Sequence, residues 1–371
     1  MKKERISKIE VFKINIPLKN PFSISLGSMD TAKNVVVQIH TTSGLVGTGE
    51  CSPIVYILGE TQDSSFEIAK YLSEALLSKN PFEIENNLSL LDSLVPGNST
   101  IKSAFDLAMY DLLGKQAGLP LYQLLGGSSS REIITDITVV LDSPEKMAEN
   151  AKKYLKDGFP VIKVKLGTNL KDDVARIYAI RKVIGDELPL RIDANQGWDR
   201  ISAISILKAL EPYNIEYCEE PIAKWNLRDL KKVKDASPIP IMADESVSDH
   251  RDAFKLASAE ACDFFNIKLS KAGGMHNALK IIAIGESAGI KSQVGGMLES
   301  KHALTAITHL VAARNNIAFC DLDSSISFAM DPVLGGLKYK GKGKWILPDK
   351  PGIGAEFDPD FLEKSKKVEI S

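Results

Sequence analysis

VIKVK (161–165), PLRIDAN (189–195), EYCEEP (216–221), PIMADES (240–246) and FFNIKLS (264–270) each run a short apolar, strand-like stretch into a charged residue. The charged residues are Lys165, Asp193, Glu219, Asp244 and Lys268, spaced 28, 26, 25 and 24 residues apart. So even a spacing is the beat of a repeating strand–helix unit. Alternation of strand and helix implies parallel pairing, and eight such units close a barrel whose strands end at one mouth. Five residues scattered over a hundred positions thereby become neighbours.

Eight barrel strands are predicted, at Ile133–Val140, Val161–Val164, Leu190–Asp193, Ile215–Cys218, Pro240–Ala243, Phe264–Ile267, Ser292–Gly295 and Ile317–Cys320. Amphipathic helices separate them; the one over 143–158 has Ser143 as its N-cap, Pro144 in its first turn and Gly158 at its end. Upstream, residues 9–18 and 34–50 alternate as antiparallel strands do, joined through Pro21–Asp30 with Gly44 in a turn. Helical spacing takes over in residues 63–125. The expected architecture is an α/β chain built on a (β/α)8 TIM-type barrel over residues 126–325. An N-terminal α+β capping domain (1–125) precedes the barrel, and a C-terminal segment (326–371) returns to pack on that capping domain.

With 371 residues and 44% hydrophobic composition, the chain can bury a large core. A formal net charge of −2 leaves no basic footprint for nucleic acid. Cys51, Cys218, Cys262 and Cys320 have neither disulfide-framework nor zinc-ligand spacing, so they read as buried thiols of a reducing compartment. The first residues lack the apolar core of a signal peptide, and no run of about 18 apolar residues occurs. A cytoplasmic protein with no membrane or nucleic-acid partner is expected, and the sequence leaves its state, monomer or homo-oligomer, open.

Three carboxylates converging from adjacent strands need a counter-charge, because like charges raise one another's pKa values. Asp193, Glu219 and Asp244 form an oxygen-only set, which favours Mg²⁺, or Mn²⁺ as a substitute, over zinc. Asn195 and Glu245 stand beside them as groups that orient the ligands. Taken singly, each acid could cap the next helix; caps leave Lys165 and Lys268 unexplained. A lysine at the inner end of a strand is costly to bury without anions around it. Lys163, two residues before Lys165, shares its strand face and is expected at the barrel mouth. Two lysines flanking a bound substrate can exchange a proton on opposite faces of one carbon. A divalent metal at the substrate carboxylate would stabilise the resulting enediolate, and the base lysine would have to fall from roughly 10.4 toward about 7–8 to work efficiently.

The ordered set KVK, DAN, EEP, DES and NIKLSKAGG resembles the muconate-lactonising subgroup of the enolase superfamily, from capping module to tail. Within it, FCDLDS (319–324) resembles the Asp-x-Asp motif of dipeptide epimerases. That resemblance implies a Mg²⁺-dependent dipeptide epimerase acting by two-base 1,1-proton transfer at the α-carbon of the C-terminal residue. By the same resemblance, Asp321 and Asp323 hold the substrate ammonium and Lys163 assists at its carboxylate. Thr135, Gly296, Met297 and Leu298 would contact the ligand. Glu220 stands where the family usually has Gln. Gly27 occupies the place where Ala-Glu epimerases carry a glutamate-binding Arg, so the second residue of the dipeptide is expected to be uncharged, small or hydrophobic. Ile24, Tyr56 and Ile57 would then supply an apolar lid. An N-acylamino-acid racemase, an o-succinylbenzoate synthase-like enzyme or a cycloisomerase would use the same site, and a non-catalytic binding protein is the remaining alternative.

Overall fold

Residues 4–371 are described by the computed structural model. Eight parallel strands follow one another in chain order: Ile137–Val139, Ile162–Lys165, Leu190–Asp193, Ile215–Glu219, Ile241–Ala243, Phe264–Ile267, Lys291–Gly295 and Ile317–Asp321. The first and eighth are tied by the Asp136 N–H donating to the Cys320 carbonyl (3.3 Å) and the Leu322 N–H donating to Thr135 Oγ1 (2.7 Å). Period-two alternation explains why these segments suit a barrel: Ile162, Val164, Leu190, Ile192 and Cys218 are buried under the helices. The intervening positions turn inward and are unusually polar. Arg191 bonds Asp136 (2.8 Å) across the interior, and Tyr217 bonds Gln293.

The first predicted strand, Ile133–Val140, is two pieces. Ile133–Ile134 pairs antiparallel with Lys344–Ile346 of the tail, and only Ile137–Val139 joins the barrel. The break falls where the Thr135 N–H donates to the Gly343 carbonyl (2.9 Å), which turns the chain from one sheet into the other.

Four strands make the capping sheet. Ile6–Ile24, Gly27–Thr41 and Val46–Cys51 are antiparallel neighbours, and the C-terminal strand Lys366–Ile370 adds to the outer edge of the first. The expected connector at Pro21–Asp30 is the tip of a long hairpin, with Phe22 opposite Met29 and Ile24 opposite Gly27. Helices Gln62–Leu76, Ile84–Leu94 and Ser99–Ala117 cover this sheet. Gly47 and Gly49 face the last of them so closely that a Cβ would overlap the carbonyls of Ala108 and Ala104. The tail only partly returns to the capping unit: Lys344–Ile346 stitches the barrel entrance, and Val333–Gly335 pairs with Ala355–Phe357. The Ile353 N–H then donates to Asp111 (2.8 Å) before the final strand docks.

Candidate active site

Lys165, Asp193 and Glu219 are register partners on the second, third and fourth barrel strands. Asp244 and Lys268 lie just past the ends of the fifth and sixth. All five are buried, and the positive and negative groups are interleaved. Lys165 Nζ lies 2.6 Å from Asp193 Oδ2, and Lys268 Nζ lies 2.7 Å from Asp244 Oδ2. Lys163 Nζ bridges Glu219 Oε2 (2.7 Å) and Asp321 Oδ2 (2.8 Å).

Three residues not singled out from sequence complete the set. Lys271 donates to Asp244 Oδ1 (2.6 Å), Asn266 to Glu219 Oε1 (2.9 Å) and Gln293 to Glu219 Oε2 (3.2 Å). The two-residue strand period would have found one of them, because Asn266 precedes Lys268 by two. Lys271 sits one turn past Lys268 in the short helix Leu269–Ala272, a spacing that brings side chains to one face.

Burial would raise Asp193, but Lys165 and Lys163 hold it down at about 2. Glu219 moves the other way, to about 7, through burial and then the charge of Asp193, with Lys163 opposing. Burial would likewise lower Lys268, yet Asp244 and Glu219 lift it well above the ordinary lysine range. Asp244 and Glu219 thus govern the proton affinity of Lys268, and a cation neutralising them would remove the charges that hold it up.

A cavity of about 40 Å³ opens between Lys165 and Lys268. Its wall includes Asn195, Asp321, Asp323, Gly296, Met297 and Leu298, and the capping domain contributes Phe22, Ile24, Met29, Ile54 and Ile57. Asp323 Oδ2 accepts from the Thr138 N–H (2.8 Å). Burial, followed by the nearby Asp321 charge, pushes Asp323 up to about 6.

Four of the expected site residues sit apart from that cavity wall. Thr135 is fully enclosed with its hydroxyl on the Leu322 N–H, so it sets the turn between Asp321 and Asp323, and Thr138 takes the wall position. Lys163 lies beneath the carboxylates rather than at the mouth, because three anions surround its ammonium group. Gly27 and Tyr56 are outside the cavity wall. Tyr56 lines an outer cleft instead, and a Cβ at Gly27 would come within 2.8 Å of its ring.

Among the described residues, no three acidic, His or Cys side chains are already gathered as a metal cluster, since each carboxylate is turned toward an ammonium group. The donor chemistry nevertheless fits a hard divalent cation. Asp193, Glu219 and Asp244 offer only oxygen, and Asn195 Oδ1, Glu245 Oε2 and Asn266 Oδ1 are buried acceptors with no partner. Asn195 also donates to Glu245 Oε1 (3.3 Å), and its N–H orients Asp193 Oδ1 (2.8 Å). Asp193, Glu219 and Asp244 would hold such a cation.

A parallel eight-stranded barrel with acids on three consecutive strands and a lysine on either flank defines a barrel enzyme built for proton transfer. The chain matches the mandelate racemase / muconate lactonizing enzyme N-terminal domain over residues 6–126 and the enolase C-terminal domain-like family over residues 146–361. It belongs to this mandelate racemase / muconate lactonizing branch of the enolase-like enzymes. D-Ala-D/L-Ala epimerase of Cytophaga hutchinsonii is 46% identical, over 99% of this chain and 100% of the relative. Hydrophobic dipeptide epimerase of Enterococcus faecalis is 41% identical, over 94% and 99%. The crystal structure of the Cytophaga hutchinsonii dipeptide epimerase with Mg and D-Ala-L-Val superposes with a TM-score of 0.98, covering 99% of this chain and 100% of that one.

Proposed function

We propose that the protein is a Mg²⁺-dependent dipeptide epimerase, an isomerase that inverts the α-carbon of the C-terminal residue. The observation that carries this reading is the cavity held between Lys165 and Lys268, with Asp321 and Asp323 on its wall. The two lysines come from the second and sixth strands and so approach from opposite sides of the mouth. One removes the α-proton while the other delivers a proton to the opposite face, and a return trip reverses their roles. Asp193, Glu219 and Asp244 would hold Mg²⁺, or Mn²⁺ in its place. When bound, the cation supplies Lewis-acid stabilisation of the negative charge that builds on the substrate carboxylate. Asp321 and Asp323 take the substrate's α-ammonium, and the lid residues exclude water from the reacting carbon.

The second residue of the preferred dipeptide is uncharged, small or hydrophobic. Ile24, Ile54, Ile57, Met297 and Leu298 make its surroundings apolar, and among the described residues Lys165 and Lys268 are the only cations on that wall. The relatives' names, an Ala–Ala epimerase and a hydrophobic dipeptide epimerase, agree with that preference. The reading carries with it a cytoplasmic enzyme acting on free dipeptides, in keeping with four buried, unpaired thiols. A dipeptide library incubated in D₂O and followed by mass spectrometry tests it. Deuterium should enter the C-terminal residue of dipeptides such as Ala-Ala, Ala-Val and Ala-Leu, and Ala-Glu should be poor. Exchange with N-acylamino acids and with no dipeptide would overturn the reading.

A further inference from the structure

We propose that Glu50, from the capping domain, is a positioning residue of the catalytic site, fixing the barrel loop Gly296–Ser300 and through it the cavity wall beside the reacting carbon. Glu50 is the last residue but one of the third capping strand and is fully buried. Both of its oxygens are used on the barrel side. Oε1 accepts from the Ser300 N–H (2.9 Å) and from Asn34 Nδ2 (2.8 Å); Oε2 accepts from Ser300 Oγ (2.6 Å) and the Ala303 N–H (3.2 Å). Its carboxylate thus sits at the N-terminus of helix Lys301–Ala313, where the free N–H groups favour an anion. Asn34 carries the link one step further by donating to the Leu298 carbonyl (2.8 Å).

A second line of bonds runs in parallel. The Ser52 N–H donates to Ser270 Oγ (3.0 Å), Ser270 Oγ donates to Glu299 Oε1 (3.0 Å), and Glu299 Oε2 accepts from the Met297 N–H. Met297 and Leu298, which line the cavity, are therefore held by the capping strand through two short relays. Ser270 is two residues past Lys268, so the base segment is gripped by the same joint. Both relays end on the loop that carries Met297 and Leu298 to the cavity wall.

The kinetic part of the test rests on the proposed dipeptide epimerase reaction; the structural part does not. Glu50→Gln keeps the size of the side chain but turns an N–H₂ toward donors, and Asn34→Ala cuts the Leu298 link while leaving the bonds from Glu50 to Ser300 in place. Backbone amide exchange over residues 296–300, read by mass spectrometry on the full-length protein, should speed at least tenfold in both variants. With Ala-Ala as substrate, KM should rise roughly tenfold and kcat fall, per mole of folded enzyme, while bound Mn²⁺ stays at the wild-type stoichiometry. Wild-type amide protection in the loop would overturn the proposal, as would unchanged kcat and KM in variants of an enzyme whose wild type is active. Should the wild type exchange no dipeptide, the functional reading alone falls, and the amide measurement still decides the role of Glu50. If Glu50→Gln does not fold, Glu50→Asp, which keeps the charge but draws the carboxylate back from Ser300 and Ala303, should give the same readings.

Discussion

At the scale of single residues, the site is a set of charges that cancel in pairs, and its chemistry follows from which partner is removed. Lys165→Ala and Lys268→Ala should each abolish net epimerisation, by at least a thousandfold, because neither lysine can serve both faces of one carbon. Each variant should still exchange deuterium into one epimer only, the opposite one in the two cases, and NMR of the separate epimers in D₂O reads this directly. Retention of full epimerisation by either variant would eliminate the two-base scheme. Asp321→Asn and Asp323→Asn each weaken a charge-assisted bond worth about 1.5–3 kcal/mol, so KM for dipeptides should rise roughly 10- to 100-fold. Asp323 carries a pH signature as well. With its carboxyl pushed up to about 6, protonation cancels the charge that holds the ammonium group. KM of the wild type should accordingly climb as pH falls through about 6, and the Asp323→Asn variant should lack that inflection; a shared inflection would assign it to another group.

At the scale of elements, the barrel and capping domain meet through close backbone approaches that tolerate no added atoms. Gly274 opens helix Met275–Ala288 at a φ of 112°, and a Cβ there would overlap the Asp106 carboxylate, which accepts from the Met275 and His276 N–H groups. Gly274→Ala combines backbone strain with overpacking and should cost about 3 kcal/mol in urea unfolding. A loss below about 1 kcal/mol would mean that Asp106 can swing aside. At this scale, legibility from sequence varied with how local the information is. The cap at Ser143, with its Oγ accepting from Lys146, and the positive φ of Gly158 follow from neighbours within a few residues. The split of the first barrel strand does not, because it depends on Gly343, two hundred residues away in the chain.

At the scale of the whole molecule, Lys163, Lys165, Lys268 and Lys271 pair with the carboxylates of the site, so chelation should switch off activity without unfolding the protein. EDTA treatment should remove turnover, Mg²⁺ or Mn²⁺ should restore it, and circular dichroism should stay the same throughout; unfolding on chelation would show that the lysines do not suffice to neutralise the carboxylates. The spacing of Lys165, Asp193, Glu219, Asp244 and Lys268 was enough to define a barrel, its mouth and the type of chemistry, because strand period and strand–helix repeat are local rules that one chain carries in full. The three-dimensional fold alone decided which groups touch. It sank Lys163 beneath the acids, enclosed Thr135 and brought Thr138 to the wall. It also set Tyr56 over Gly27 and placed Glu50 of the capping sheet against Ser300 of the barrel. Those outcomes depend on packing between elements distant in sequence, where burial and charge pairing select one arrangement from many that the local patterns permit.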